Sequence, residues 1–141
     1  MKLFSRHILL VLAVAGSMAF SSCKKGEGEG GNSSITGKVW VKKYNPYTSS
    51  WTGEYAGAYQ DVYIIYGDKE SYGDRTETNP EGVFEFKWLR PGNYKVYTYS
   101  KTVDVPFNPS SPDKIIIKEV EITDKKQEVD AGTFDVNYYK L

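Results

Sequence analysis

One stretch, Thr78 to Val96, limits the folds open to this chain more than any other. Phe84 and Phe86 alternate with Glu85 and Lys87, which is the period of a strand with one buried face. Leu89 extends the apolar series. Pro91-Gly92 then makes a tight corner, in which proline presets one dihedral and glycine supplies a positive φ. Tyr94 and Val96 resume the alternation on a returning strand, and Asn79-Pro80-Glu81-Gly82 forms the turn that leads in. Two short strands cannot bury their apolar face alone, so other strands must supply a facing wall.

The rest of the chain offers those strands. Ile35, Gly37, Val39 and Val41 share one side of a first strand over 35–44, opposite Thr36, Lys38, Trp40 and Lys42. Residues 45–60 break the pattern with Pro46, Gly53 and Gly57, which predicts a long loop with room for a short hairpin. Val62 and Ile64 mark a strand over 61–66, and residues 75–78 a short edge strand. Pro106, Pro109 and Pro112 keep 105–113 out of any ladder. The β-branched run over 114–123 is a strand, Asp124-Lys125-Lys126-Gln127 is a charged turn, and a last strand spans 129–138 with Gly132 as a bulge. No helical period of ten residues follows the leader. The chain is expected to be all-β: one sandwich of about seven strands. Its 12 Tyr, 6 Phe and 3 Trp bury enough area each to fill a core of ~100 residues.

The N-terminus reads as an export signal. Lys2 and Arg6 precede an apolar run from Ile8 to Phe20, too short to span a bilayer, which takes ~20 residues. Phe20-Ser21-Ser22-Cys23 resembles a lipobox, in which the cysteine is acylated and cleavage falls just before it. Residues 24–34 hold four glycines and no apolar side chain, and are expected to be a flexible tether. The domains are then 1–22 signal peptide, 23–34 acylated Cys23 and tether, and 35–141 sandwich. Glu27 and Glu29 partly resemble the acidic surface-export signal of Gram-negative lipoproteins. The expected location is the cell envelope, with the chain lipid-anchored at the outer membrane and facing the periplasm or the exterior. The membrane is the partner expected through Cys23.

Composition excludes several functions. The 18 basic and 18 acidic residues balance, and no basic face is offered to nucleic acid. Cys23 is the single cysteine, so there is no intrachain disulfide and no cysteine-rich metal site. The single histidine, His7, lies in the leader, which leaves no base to activate a serine nucleophile. Asp68, Glu70 and Gly73 imitate the start of a calcium loop, but Asn79 stands where the bidentate acid belongs. The expectation is a non-enzyme with no metal and no cofactor.

The order of parts resembles the carboxypeptidase regulatory-like family. The matching residues are Ile35, Gly37 and Val39, then Thr78, Gly82, Phe84, Phe86, Leu89, Pro91, Gly92, Tyr94 and Val96. The resemblance implies a prealbumin-like, Ig-like sandwich with Greek-key connections and no catalysis of its own. Two relatives of that fold have signatures that can be compared residue by residue. Collagen-adhesin B-type modules carry a Lys–Asn cross-link promoted by an acid; Lys38 and Asn137 are candidates, but Thr98 occupies the acid's position. Transthyretin-like hydrolases use histidines and a Tyr-Arg-Gly-Ser tail, whereas this chain ends Tyr138-Tyr139-Lys140-Leu141.

The best clue to a ligand is the aromatic set Tyr47, Trp51, Tyr55 and Tyr59 in the 47–59 loop. Tyrosine and tryptophan offer a rigid flat face with a polar tip, suited to interfaces and to stacking. The competing expectation is that Trp51 and Tyr59 fold back over the open end of the sandwich. Tyr63, Tyr97 and Tyr99 lie mid-strand, where cross-strand pairing accounts for them. The leading function is a membrane-anchored interaction or accessory module, with an envelope protein or a glycan as partner. A glycan-binding lipoprotein using the 47–59 loop, or a structural spacer, are the alternatives.

Overall fold

A computed structural model of the chain describes residues 26–104, 108 and 110–139. It contains eight strands: β1 (Glu29–Tyr44), β2 (Trp51–Ala56), β3 (Asp61–Tyr66), β4 (Asp74–Glu77), β5 (Val83–Leu89), β6 (Gly92–Ser100), β7 (Lys114–Ile122) and β8 (Glu128–Tyr139). There is no helix among the described residues. The fold is an all-β sandwich, one strand richer than expected.

β1 is the centre of the first sheet. Along one edge it pairs in parallel with β8, from Ser34 opposite Glu128 to Tyr44 opposite Tyr139. Its other edge is divided: β5 pairs antiparallel with Glu29–Lys38, and β2 with Trp40–Tyr44. The handover is at Val39, whose N–H donates to the Gly82 carbonyl at 2.8 Å and whose carbonyl accepts from Gly57 N–H at 2.9 Å. The second sheet runs β4-β3-β6-β7, all antiparallel. The chain crosses between sheets after β2, β4, β5 and β7.

The core lies between the two layers. Ile35, Val39, Val41, Phe84, Phe86, Leu89, Phe134 and Val136 face Val62, Ile64, Tyr66, Tyr94, Val96, Val120 and Ile122. Phe84 meets Phe86 and Phe134 edge-on, with centroids 5.9 and 5.6 Å apart. All five core residues expected from the 78–96 stretch, Phe84, Phe86, Leu89, Tyr94 and Val96, are at most 2% exposed. Strict alternation would also have turned Trp88 inward. Instead Trp88 takes a φ of 60° and remains 66% exposed, and the pairing shifts between Ile35–Phe86 and Ser33–Leu89, where three steps along β5 answer two along β1. This bulge resets the phase and puts Leu89 inside.

One expectation is corrected, the hairpin allowed for over 45–60 is found, and Lys38 and Asn137 do not face each other. The tether expected over 23–34 is shorter, because Glu29 to Ser34 belong to β1. Pairing with β5 there uses backbone groups, and glycine permits the approach: a Cβ on Gly31 would fall 1.9 Å from the Leu89 carbonyl oxygen. Gly26 to Gly28 are fastened as well. Arg90 Nε donates to the Gly26 carbonyl at 2.6 Å, Arg90 N–H to the Gly28 carbonyl at 2.9 Å, and Gly28 N–H to the Tyr94 hydroxyl at 3.0 Å. The 45–60 loop is a hairpin plus a crossing, since β2 returns along β1. Its tip is capped by Asn45, whose Oδ1 accepts from the N–H of Tyr47 and Thr48. Lys38 is level with Thr133 and Asn137 with Lys42, four rungs away. Thr98 is buried and donates to the Asp61 carbonyl at 2.7 Å.

Candidate functional site

The four aromatics of the 47–59 segment go to different places. Tyr47 sits on the hairpin tip and is 77% exposed. Trp51 is opposite Tyr44, on the outer side of the first sheet. Tyr59, in the crossing to β3, adopts a φ of 55°. Trp51 and Tyr59 are both exposed, so neither folds back over the sandwich as the packing expectation required. No ring of the four contacts another. Only Tyr55, opposite Val41, is turned toward the second sheet.

Tyr55 leads to a cleft of about 420 Å³ at the open end of the sandwich. It lies where β6 ends and β7 begins, facing β2 and the end of β8. Tyr55, Tyr99 and Tyr138 line it, each between 44% and 46% exposed. Half-exposed rings of this kind keep a face for a ligand while their own packing fixes them. Tyr138 arrives there because β8 continues the inward phase of Phe134 and Val136 past the end of the core.

Polar groups complete the lining. Lys101 Nζ and Asp113 Oδ1 form an ion pair at 2.6 Å, so the two charges cancel locally. The Asn137 and Gln60 amides and Ser100 also contribute. Ser100 Oγ accepts from Asn137 N–H at 2.8 Å, which ties the end of β6 to β8 across the two sheets. Partial burial, and then the neighbouring Tyr138 phenol, push the Tyr55 hydroxyl above its ordinary range. Tyr55 is therefore a neutral donor at physiological pH. Aromatic faces, neutral hydroxyls, amides and a cancelled charge pair suit an uncharged, hydroxyl-rich ligand better than an ion.

Tyr99 also belongs to a second feature, a row of tyrosines on the outer face of the second sheet. Tyr63 and Tyr97 stack with centroids 5.0 Å apart and planes inclined by 15°. Tyr99 stands edge-on to both, and Tyr72 edge-on to Tyr63. Cross-strand pairing accounts for the Tyr63–Tyr97 stack, as the alternation implied. Ile115 and Ile117 on β7 are the cross-strand partners of Tyr99 and Tyr97 and are each 50% exposed. The row and the cleft meet at Tyr99. Burial, followed by the Tyr99 phenol, raises the Tyr97 hydroxyl too.

A second cavity, of about 370 Å³, lies toward the opposite end and is edged by Asp68, Lys95, Glu119 and Glu121. Cys23, the expected acylation site, lies outside the described residues. Tyr138 was missed at the level of sequence although its phase in β8 was visible. For Tyr99 the sequence shows pairing alone, because the cleft beside it is made by strands far away in the chain.

No family model matches the chain, and no curated protein matches it. Among solved structures, the chain is similar to a protein from Pseudomonas aeruginosa provisionally described as carbohydrate-binding. The two align over 80% of this chain and 91% of that one, at 12% identity and a TM-score of 0.42.

Proposed function

We propose that this chain is a non-catalytic, lipid-anchored binding module of the bacterial cell envelope, and that its cleft takes an uncharged glycan. The observation that carries this reading is the convergence of Tyr55 and Tyr138 around one opening, with Tyr99 at its rim and amides and a neutralised Lys101–Asp113 pair at its edge. Sugar rings present apolar C–H faces and many hydroxyls, and this lining offers a partner for each. Anchoring rests on the Phe20-Ser21-Ser22-Cys23 pattern behind an apolar leader. Membership of the carboxypeptidase regulatory-like family is supported by the Pro91-Gly92 corner and the Phe84, Phe86 and Leu89 series that precedes it.

The test is a glycan array followed by calorimetric titration of any hit, with Tyr55→Ala and Tyr138→Ala compared with the parent. Each substitution should weaken binding by roughly two- to tenfold, the scale of one lost stacking contact. Unchanged affinity in both variants, or no glycan bound by the parent, would overturn the glycan as ligand. A protein partner is the second reading, favoured by the separate exposure of Tyr47 and Trp51 on the β1–β2 hairpin. It predicts that a partner captured from the envelope is lost on Tyr47→Ala and Trp51→Ala.

A further inference from the structure

The N-terminal fastening described above fixes more than the edge of a sheet. Gly26 is held by Arg90, and Lys24 and Lys25 alone separate it from Cys23. Three residue steps reach at most about 11 Å when fully extended. The headgroup layer of a bilayer is itself roughly 5–8 Å thick on each side. A domain acylated at Cys23 therefore has almost no clearance. Whichever end of the sandwich carries Gly26 must lie against the lipid.

That end can be identified from the pairing. Tyr66 at the close of β3 is opposite Tyr94, and Gly92 at the start of β6 is opposite Ile122 at the close of β7. The turns over 67–73, 90–91 and 123–127 thus share one end with Gly26–Gly28. The cleft lies at the other end, where β6 finishes at Ser100. The nine residues of β6 separate the two by roughly 27 Å.

Trp88 gives this end an independent mark. It is two-thirds exposed, and it holds a left-handed φ of 60° that a bulky side chain rarely adopts. Its neighbour Leu89 pairs with Glu29, so the indole stands beside the point where the anchor emerges. Indole rings settle at the boundary between headgroups and acyl chains. Charge does not drive the contact: Lys87 is paired with Glu85 at 3.0 Å, and Lys125 and Lys126 share their turn with Asp124. The short leash imposes it.

We propose that the end formed by Gly26–Gly28, the Arg90–Pro91 corner and Trp88 rests on the lipid headgroups, with the tyrosine cleft turned away from the bilayer. This rests on the lipid-anchor reading, and is independent of what the cleft binds. The test uses the full acylated chain in vesicles of phosphatidylethanolamine and phosphatidylglycerol, with brominated acyl chains as the quencher. Trp40→Phe combined with Trp51→Phe leaves Trp88 as the sole tryptophan, excited at the red edge where the tyrosines do not absorb; Trp40→Phe combined with Trp88→Phe leaves Trp51, on the far hairpin. Trp88 should be quenched at least about twofold more than Trp51. A flexible insert of roughly ten Gly and Ser residues after Lys25 should remove most of that difference.

Equal quenching of the two, or an unquenched Trp88 on acylated protein, overturns the orientation. A Trp88 shielded in a dimer of this chain would show as the second of these. Quenching that survives the insert overturns the leash as its cause. The mass of the N-terminal peptide reports acylation separately. A peptide without lipid sinks the anchor reading and the orientation together, whereas an acylated peptide with an unquenched Trp88 sinks the orientation alone.

Discussion

The Nε of Arg90 donates to the carbonyl oxygen of Gly26 at 2.6 Å. The same residue takes part in a second link through its backbone, because Arg90 N–H donates to Gly28. A hydrogen bond from a charged donor contributes about 1.5–3 kcal/mol, and this one is partly screened by its exposure. Arg90→Ala should therefore cost about 1–2 kcal/mol in urea unfolding. It should also speed hydrogen exchange at the Gly28 amide, while the β5–β6 core keeps its protection. Unaltered exchange at Gly28 would mean that the Tyr94 hydroxyl and the backbone N–H of residue 90 hold this segment without the guanidinium.

At the point where β1 changes partners, Gly82 has a φ of 78°, and a Cβ there would lie 2.6 Å from the Val39 carbonyl oxygen. Gly82→Ala combines the cost of a left-handed alanine with a backbone clash that no side chain can relieve, and should lose about 2–4 kcal/mol. Gly26→Ala, where nothing lies within 4 Å, should stay within about 0.5 kcal/mol. Thermal or urea unfolding of the pair checks both, and similar values for the two would refute the crowding argument.

Trp88 and Leu89 should respond in opposite ways. Leu89→Ala removes a fully buried side chain and should cost about 2–5 kcal/mol. Trp88→Gly relieves the left-handed strain, worth about 1–2 kcal/mol, against a glycine entropy cost of about 0.5–1 kcal/mol. The net change should lie between zero and about 1.5 kcal/mol of added stability. A loss above about 1 kcal/mol would show that the indole packs more than its exposure indicates.

Alkaline pH should weaken the fold through Tyr66. Burial, followed by the Glu29 and Asp74 carboxylates, raises its phenol from the ordinary 10.0 to about 12. Between those values the folded state holds a proton that the unfolded chain has released, so stability is full below pH 10.0 and is lost as pH rises toward about 12. Each such group gives a slope of at most about 1.4 kcal/mol per pH unit. Tyr66→Phe should flatten the loss across this window, measured by urea midpoints at stepped pH. An unchanged slope would assign the effect to the other phenols that burial raises, Tyr94, Tyr97 and Tyr55.

The 78–96 stretch was legible because each of its signals agreed: alternation, a Pro-Gly corner and a leading turn. Two strand segments were not. Residues 29–34 join β1 through backbone pairing with β5, and glycines carry no side-chain period that would announce it. β2 is an edge strand exposed on much of both faces, so the alternation that marks a half-buried strand is absent. The cleft was half visible. Tyr138 continues the phase of Phe134 and Val136, but Tyr55 gains its meaning only from being opposite Val41. That register is set by the hairpin, which residue types alone did not specify.

The parallel ladder between β1 and β8 has a bearing on how the protein matures. Ser34 finds its partner Glu128 some 94 positions later. A ribosome releases the chain head first, so one long side of the central strand stays bare until nearly the last residue has emerged. Closure of such distant ends is slow, and an unpaired apolar edge invites association with other chains meanwhile. Nascent molecules of this protein should depend on a holdase until synthesis is complete, and stopping translation anywhere before β8 should yield an aggregate instead of a smaller domain.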